Sequence, residues 1–240
     1  MRLQPLPARF VETRDALHQV AFFAVAPARY RAEGRMGLRA APGGFGTPEF
    51  DGRVARVEGN TLVHEQADTV ASQTITTTGA AAGFFGVEYA TDWYEHGFRD
   101  PLAPVGPDVE LTVDDEAGRA LGAWFGFGYD VLETLRSHGT EGDDVSTVQL
   151  WPEHFDPAIE MGSEDRGLRA SYGLSPGDRA HDEPYVYVAP WGEIDRTLSY
   201  WNDEAFNGSS LDYAELLTAP DPAKVALDFL LEGHRLIHAD

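Results

Sequence analysis

The spacing of apolar positions changes period several times along the chain, and each change predicts an element. Phe10, Leu17, Val20, Ala21 and Ala24 recur at helical spacing, so residues 9–25 read as a helix, entered after Pro5 and Pro7 and closed before Pro27. From about Arg35 to Thr77 the period drops to two. Runs such as Arg53-Val54-Ala55-Arg56-Val57, Thr61-Leu62-Val63-His64 and Thr69 to Thr76, separated by glycine, proline and asparagine, read as a meander of short antiparallel strands, with Glu58-Gly59-Asn60 as a hairpin connection. Gly79 to Val87 is a short apolar helix. Residues 98–112 are proline-rich and read as a connection between two lobes of one domain.

Beyond that connection, Asp114-Asp115-Glu116 places acidic residues where a helix start favours them, and Leu121, Trp124, Phe125, Gly128, Leu132 and Leu135 continue the helix to about Arg136. Gly118, Gly122 and Gly126 stand four apart on it, at a cost of about 1 kcal/mol each against alanine, which predicts another element lying close against that ridge. Val145 to Trp151, Leu168 to Gly173 and Pro184 to Pro190 read as strands, with a turn at Ser175-Pro176-Gly177-Asp178. The last helix, 221–237, has Asp221 to cap it and Pro222 in its first position. Strands come in runs rather than alternating with helices. The expected class is therefore α+β, a largely antiparallel sheet with packed helices in a single domain spanning 1–240.

Composition narrows the chemistry. With 240 residues, 42% of them hydrophobic, the chain can bury a sizeable core, and the absence of cysteine excludes disulfides, thiolate metal sites and cysteine nucleophiles. The net charge of −22 argues against nucleic acid and anionic membranes as partners. No apolar run reaches the roughly 20 residues of a membrane span and no secretory signal opens the chain, so a cytoplasmic location is expected. The charge is uneven: residues 1–100 hold 12 acidic and 10 basic side chains, residues 101–240 hold 28 and 8. Acidic pairs such as Asp143-Asp144 and Asp203-Glu204 read first as a solvated surface and second as sites for a hard cation. Arg29, Arg31, Arg35, Arg39, Arg53 and Arg56 read as a solvent face, with anion binding as the alternative.

The common signatures of nucleotide-binding proteins, serine hydrolases and zinc proteases are absent. What remains is three polar groups. His154 and Asp156 lie two apart and would share one face of an extended segment; Asp178, His181, Asp182 and Glu183 precede the aromatic strand Tyr185 to Val188; and Asp203-Glu204 follow Trp201-Asn202. If the first two met, His154, Asp156 and His181 would form a nitrogen and oxygen site for a divalent metal, the one cofactor the sequence suggests. His18 lies three residues beyond Asp15 on the first helix, where an Asp15 contact would satisfy it. His234 and His238 stand in the final helical turn, where they complement its dipole and carry no functional expectation.

Several short motifs occur in order: Thr13-Arg14-Asp15-Ala16-Leu17-His18, Phe155-Asp156-Pro157-Ala158, Glu183-Pro184-Tyr185-Val186-Tyr187, Tyr200-Trp201 and Ala219-Pro220-Asp221-Pro222-Ala223. Together they resemble a bacterial family known only as a domain of unknown function. The resemblance implies a shared single-domain fold and no reaction. It places weight on His18, Asp156, Tyr185, Tyr187 and Trp201, while the position of His154 matches a small polar residue in that family.

Three functions follow as expectations. The first is binding or transformation of a small polar metabolite in a pocket walled by Trp151, Tyr185, Tyr187, Trp191 and Trp201, with Asp156 as acceptor or base and His18 or His154 as proton carrier. The second is a metal-dependent hydrolase built on His154, Asp156 and His181. The third is a structural or partner-binding protein whose aromatic residues are core. The sequence leaves substrate and oligomeric state open.

Overall fold

The computed structural model describes residues 2–94 and 102–239. Part of the proline-rich stretch, residues 98–101, falls outside them. The elements in chain order are α1 (Phe10–Val20), a π-helical turn (Ala21–Val25), α2 (Ala26–Glu33), β1 (Arg39–Ala41), β2 (Gly44–Gly46), β3 (Arg53–Glu58), β4 (Thr61–Gln66), β5 (Thr69–Thr74), α3 (Thr78–Phe84), α4 (Asp115–Arg136), β6 (Gln149–Trp151), β7 (Asp156–Met161), β8 (Ala170–Ser175), β9 (Tyr185–Pro190), β10 (Ser209–Asp212), α5 (Tyr213–Thr218) and α6 (Pro222–Ile237). They form two antiparallel five-stranded sheets, ordered β1-β2-β3-β4-β5 and β10-β9-β8-β7-β6, with packed helices, so the fold is α+β. No helix among the described residues is long and apolar enough to cross a membrane.

Two compact units divide these elements. One comprises Leu6–Gly126 with Leu150–Phe155; the other comprises Met1–Pro5, Phe127–Gln149 and Asp156–Asp240.

In the first unit, the opening helix does not stop before Pro27. It runs on to Glu33 because the turn at Ala21–Val25 widens to π geometry just ahead of the proline, which then sits in the first turn of α2, where a missing N–H costs little. Gly34, at φ +67°, ends α2 and donates its N–H to the Tyr30 carbonyl at 2.7 Å. The meander is present: β3 and β4 pair from Arg53 with Gln66 to Glu58 with Thr61, around the expected hairpin. Thr77 caps α3 through its side chain, accepting from the Ala80 N–H. Residues 102–112 are fastened within this unit, where Gly79 donates to the Pro107 carbonyl and the Gln19 amide bonds the Ala103 carbonyl.

The glycine ridge on α4 is explained at two of its three positions. A Cβ on Gly118 would stand 2.6 Å from the Gly59 carbonyl oxygen in the β3–β4 hairpin, and one on Gly122 would stand 2.2 Å from the Gly44 nitrogen. At Gly126 nothing lies within 4 Å. Beneath the ridge, Phe45, Phe125 and Phe155 meet edge to face with centroids 5.0–6.2 Å apart. The arginines of this unit mostly find partners in it: buried Arg29 donates to the Gly37 carbonyl at 2.6 Å, and Arg56 pairs with Glu58 and Glu65.

In the second unit, β8 and β9 pair in register from Ala170 with Pro190 to Ser175 with Tyr185, and β10 extends the sheet beside β9. The strand expected over Val145 to Trp151 is regular only at Gln149–Trp151, of which Leu150 and Trp151 belong to the first unit, while β7, holding Asp156 and Glu160, and β10, with Ser209, Ser210 and Asp212, escape the apolar pattern. α6 begins as its sequence dictates, with Asp221 accepting from the Lys224 N–H at 3.1 Å and Pro222 beginning the helix. Asp221→Ala is expected to lower stability by about 1 kcal/mol, measured as a shift in the urea midpoint with unchanged slope.

Candidate functional site

The second and third polar groups of the sequence come together in the second unit. Asp178 opens the turn before β9, and its Oδ1 accepts from the N–H groups of Ala180 and His181 at 2.7 and 2.9 Å. That turn holds His181 over the Tyr185 ring, with centroids 4.4 Å apart. The two imidazole nitrogens then face two carboxylates: Nδ1 lies 3.4 Å from Asp178 Oδ1 and Nε2 lies 3.1 Å from Asp203 Oδ2. Asp203 is buried, and its loop is pinned by Arg196, which donates to the Asp203 and Phe206 carbonyls at 2.6 and 3.0 Å. The Tyr185 hydroxyl donates to Asp178 Oδ2 at 2.6 Å. Burial works to raise the Asp178 pKa, but the Tyr185 hydroxyl and the Ala180 and His181 N–H groups outweigh it and hold the carboxyl below its ordinary value. Burial and the neighbouring Asp178 raise that of Tyr185, which stays a neutral donor.

His181 and Asp203 form one wall of a recess of about 370 Å³. Glu204, Asp212 and Glu215 complete an acidic lining, with Asn202, Ser210, Ala180 and Ala205 between them and no lysine or arginine among them. None of the five expected aromatic residues lines it. Tyr185 lies behind His181, Trp201 is buried, and Trp191 is 51% exposed, with its indole N–H on the Ser171 hydroxyl and its ring under Arg169.

Asp156 begins β7 and is buried, with the Tyr187 hydroxyl donating to its Oδ2 at 2.5 Å. Gly173 makes that bond geometrically accessible. It is paired with Tyr187 across β8 and β9, and a Cβ there would stand 2.5 Å from the tyrosine ring.

His18, His154 and Trp151 belong to the first unit. His154 is exposed in a turn, not in an extended segment: Phe155 adopts φ +59° and donates its N–H to the Trp151 carbonyl at 2.7 Å, so the same-face argument linking His154 to Asp156 does not hold. His18 is not satisfied by Asp15, whose carboxylate pairs with Arg14 at 2.8 Å. Its ring stacks on Phe155, centroids 5.0 Å apart and nearly parallel, and Nε2 donates to the Pro152 carbonyl at 2.9 Å. Burial lowers its pKa to about 4, with the Pro152 and Glu153 carbonyls opposing and His154 and Arg14 adding to the shift.

A second histidine group was not anticipated. The carboxylate of Asp143 and the imidazoles of His234 and His238 offer ligand atoms all within 4.8 Å of one another. The visible signal was the spacing of four between the histidines on a helix; the carboxylate comes from the distant loop after α4. Searches against protein-family models, curated proteins and solved structures return no match to this chain.

Proposed function

We propose that the chain binds a small polar metabolite carrying positive charge, an amine or guanidinium compound, in the recess beside His181. The observation that carries this reading is the lining: Asp203, Glu204, Asp212 and Glu215 converge on one concavity with no lysine or arginine among the lining side chains. A cation entering it exchanges water for carboxylates already clustered, which relieves their mutual repulsion. His181, held between Asp178 and Asp203, is positioned to take or give a proton at the bound group. Asp156 with Tyr187 acts in support, fixing β9 behind the site. The bacterial family whose motifs the chain resembles adds no reaction to this reading.

Titration calorimetry with 1,4-diaminobutane and with butane-1,4-diol at low salt tests it. The diamine is expected to bind and the diol not, with affinity falling as salt rises. Asp212 makes no side-chain cap to α5, so the double substitution Asp212→Asn and Glu215→Gln should leave the melting temperature unchanged while weakening the diamine about tenfold. Equal heats from both compounds, or full diamine affinity in the double variant, would sink the proposal.

A further inference from the structure

The structure assigns Asp143, His234 and His238 to a divalent transition-metal site, of the kind that takes Zn²⁺ through two imidazole nitrogens and one carboxylate oxygen. This site is separate from the acidic recess and does not depend on it. All three residues belong to the second unit, with Asp143 on the loop between α4 and β6, His234 in the last turn of α6 and His238 at its C-cap.

The distances are the first argument. Asp143 Oδ1 lies 3.5 Å from His238 Nε2 and 4.0 Å from His234 Nε2. A direct imidazolium–carboxylate hydrogen bond would close to about 2.8 Å. Ligands bound to one ion at about 2.0–2.1 Å each stand about 3.3–4 Å from one another, a range that holds both distances to Asp143, and the three ligand atoms all lie within 4.8 Å of one another.

The outward nitrogens are the second argument. His238 Nδ1 donates to the His234 carbonyl at 2.9 Å, and His234 Nδ1 lies 3.2 Å from the Tyr172 hydroxyl. Tyr172 is fully buried, so its hydroxyl is a fixed partner. When Nδ1 carries the proton in each ring, each Nε2 keeps a lone pair for an ion beside Asp143, the arrangement in which a second layer of hydrogen bonds orients metal-binding histidines. The ring centroids are 4.1 Å apart, a separation at which two imidazolium ions repel and two neutral ligands do not. Burial first, and His238 second, push the His234 pKa down against the pull of Asp143.

The carboxylate is preset as well. Asp143 is 5% exposed, and its Oδ2 accepts from both the N–H and the hydroxyl of Thr140, at 2.6 and 2.8 Å, which leaves Oδ1 aimed at the histidines. Its carbonyl accepts from the Gly162 N–H, and Arg169 bonds the next residue's carbonyl and carboxylate. Three protein ligands leave a fourth position open, and the histidines, partly exposed, face it.

Cobalt(II), added to the untagged full chain stripped with chelator, tests the assignment. One equivalent is expected to bind, with visible d–d absorption of a four- or five-coordinate ion, and Zn²⁺ should displace it. His238→Gln loses one ligand at a partly exposed position where α6 ends, so it should keep the melting temperature and weaken Co²⁺ about a hundredfold. Tyr172→Phe should weaken it about tenfold through the lost hydrogen bond. Absence of stoichiometric binding overturns the assignment, as does undiminished affinity in His238→Gln. Loss of binding in the Asp212→Asn, Glu215→Gln variant with retention in His238→Gln would also overturn it, by moving the ion to the recess.

Discussion

Gly122→Ala is expected to destabilise the first unit strongly and to lower its melting temperature. In an open helix the change would gain up to about 1 kcal/mol from propensity alone. Here the new methyl would stand 2.2 Å from the Gly44 nitrogen, 2.5 Å from the Gly43 carbonyl carbon and 2.6 Å from the Gly44 Cα. All three are backbone atoms, so no rotamer change relieves the overlap. The strand cannot retreat easily either, because Gly44 pairs with Ala41 on one side and Glu58 on the other, and Gly43 holds the intervening turn at φ +69°. The cost of forcing α4 from the sheet is about 3 kcal/mol or more, a large fraction of a domain's stability. Gly126→Ala on the same helix, with nothing within 4 Å, is the control and should be neutral or slightly stabilising. Thermal melts followed by circular dichroism check the pair; equal melting temperatures would overturn the packing argument.

Acidification should destabilise the protein through His18. Its folded pKa, about 4, lies below the unfolded value of about 6.5, so between those pH values the unfolded chain holds a proton that the folded chain lacks. Stability is complete above pH 6.5 and is lost as the pH falls towards 4. Allowing for the partial exposure of the ring, the loss amounts to about 2 kcal/mol. His64 and His234, whose pKa values are also lowered by burial, act in the same direction, so the measurement has to be a difference. Urea midpoints of the native chain and of His18→Gln, compared at pH 7.5 and 4.5, isolate the contribution. The glutamine amide can keep a donor near the Pro152 carbonyl but does not titrate, and its loss on acidification should be smaller by that amount. Parallel curves would exclude the assignment.

What the sequence discloses and what it conceals divide along a physical line. Features set by neighbours in the chain are legible: the Asp221-Pro222 start of α6, the Glu58-Gly59-Asn60 hairpin, and the need for a close neighbour along Gly118 and Gly122. Features set by one unusual backbone angle or turn are not. Pro27 stops a regular helix, but a π turn carries the chain past it, and the left-handed Phe155 cancels the alternation that joined His154 to Asp156. Long-range pairings are hidden as well. The group at Asp178 and His181 was visible, yet its junction with Asp203 depends on β9 and β10 lying side by side, and nothing near His234 announces Asp143.

The order in which residues contribute to the two units bears on how the protein is made. The polypeptide passes from one unit to the other four times, and Leu150–Phe155 belongs with residues synthesised long before it. A nascent chain that has emerged only to residue 126 still lacks Phe155, against which His18, Phe45 and Phe125 pack, so the first unit completes its core only when a late segment returns to it. Neither unit can be released by a single cut, and vectorial, one-after-the-other folding during translation gives way to joint assembly once Leu150–Phe155 has emerged.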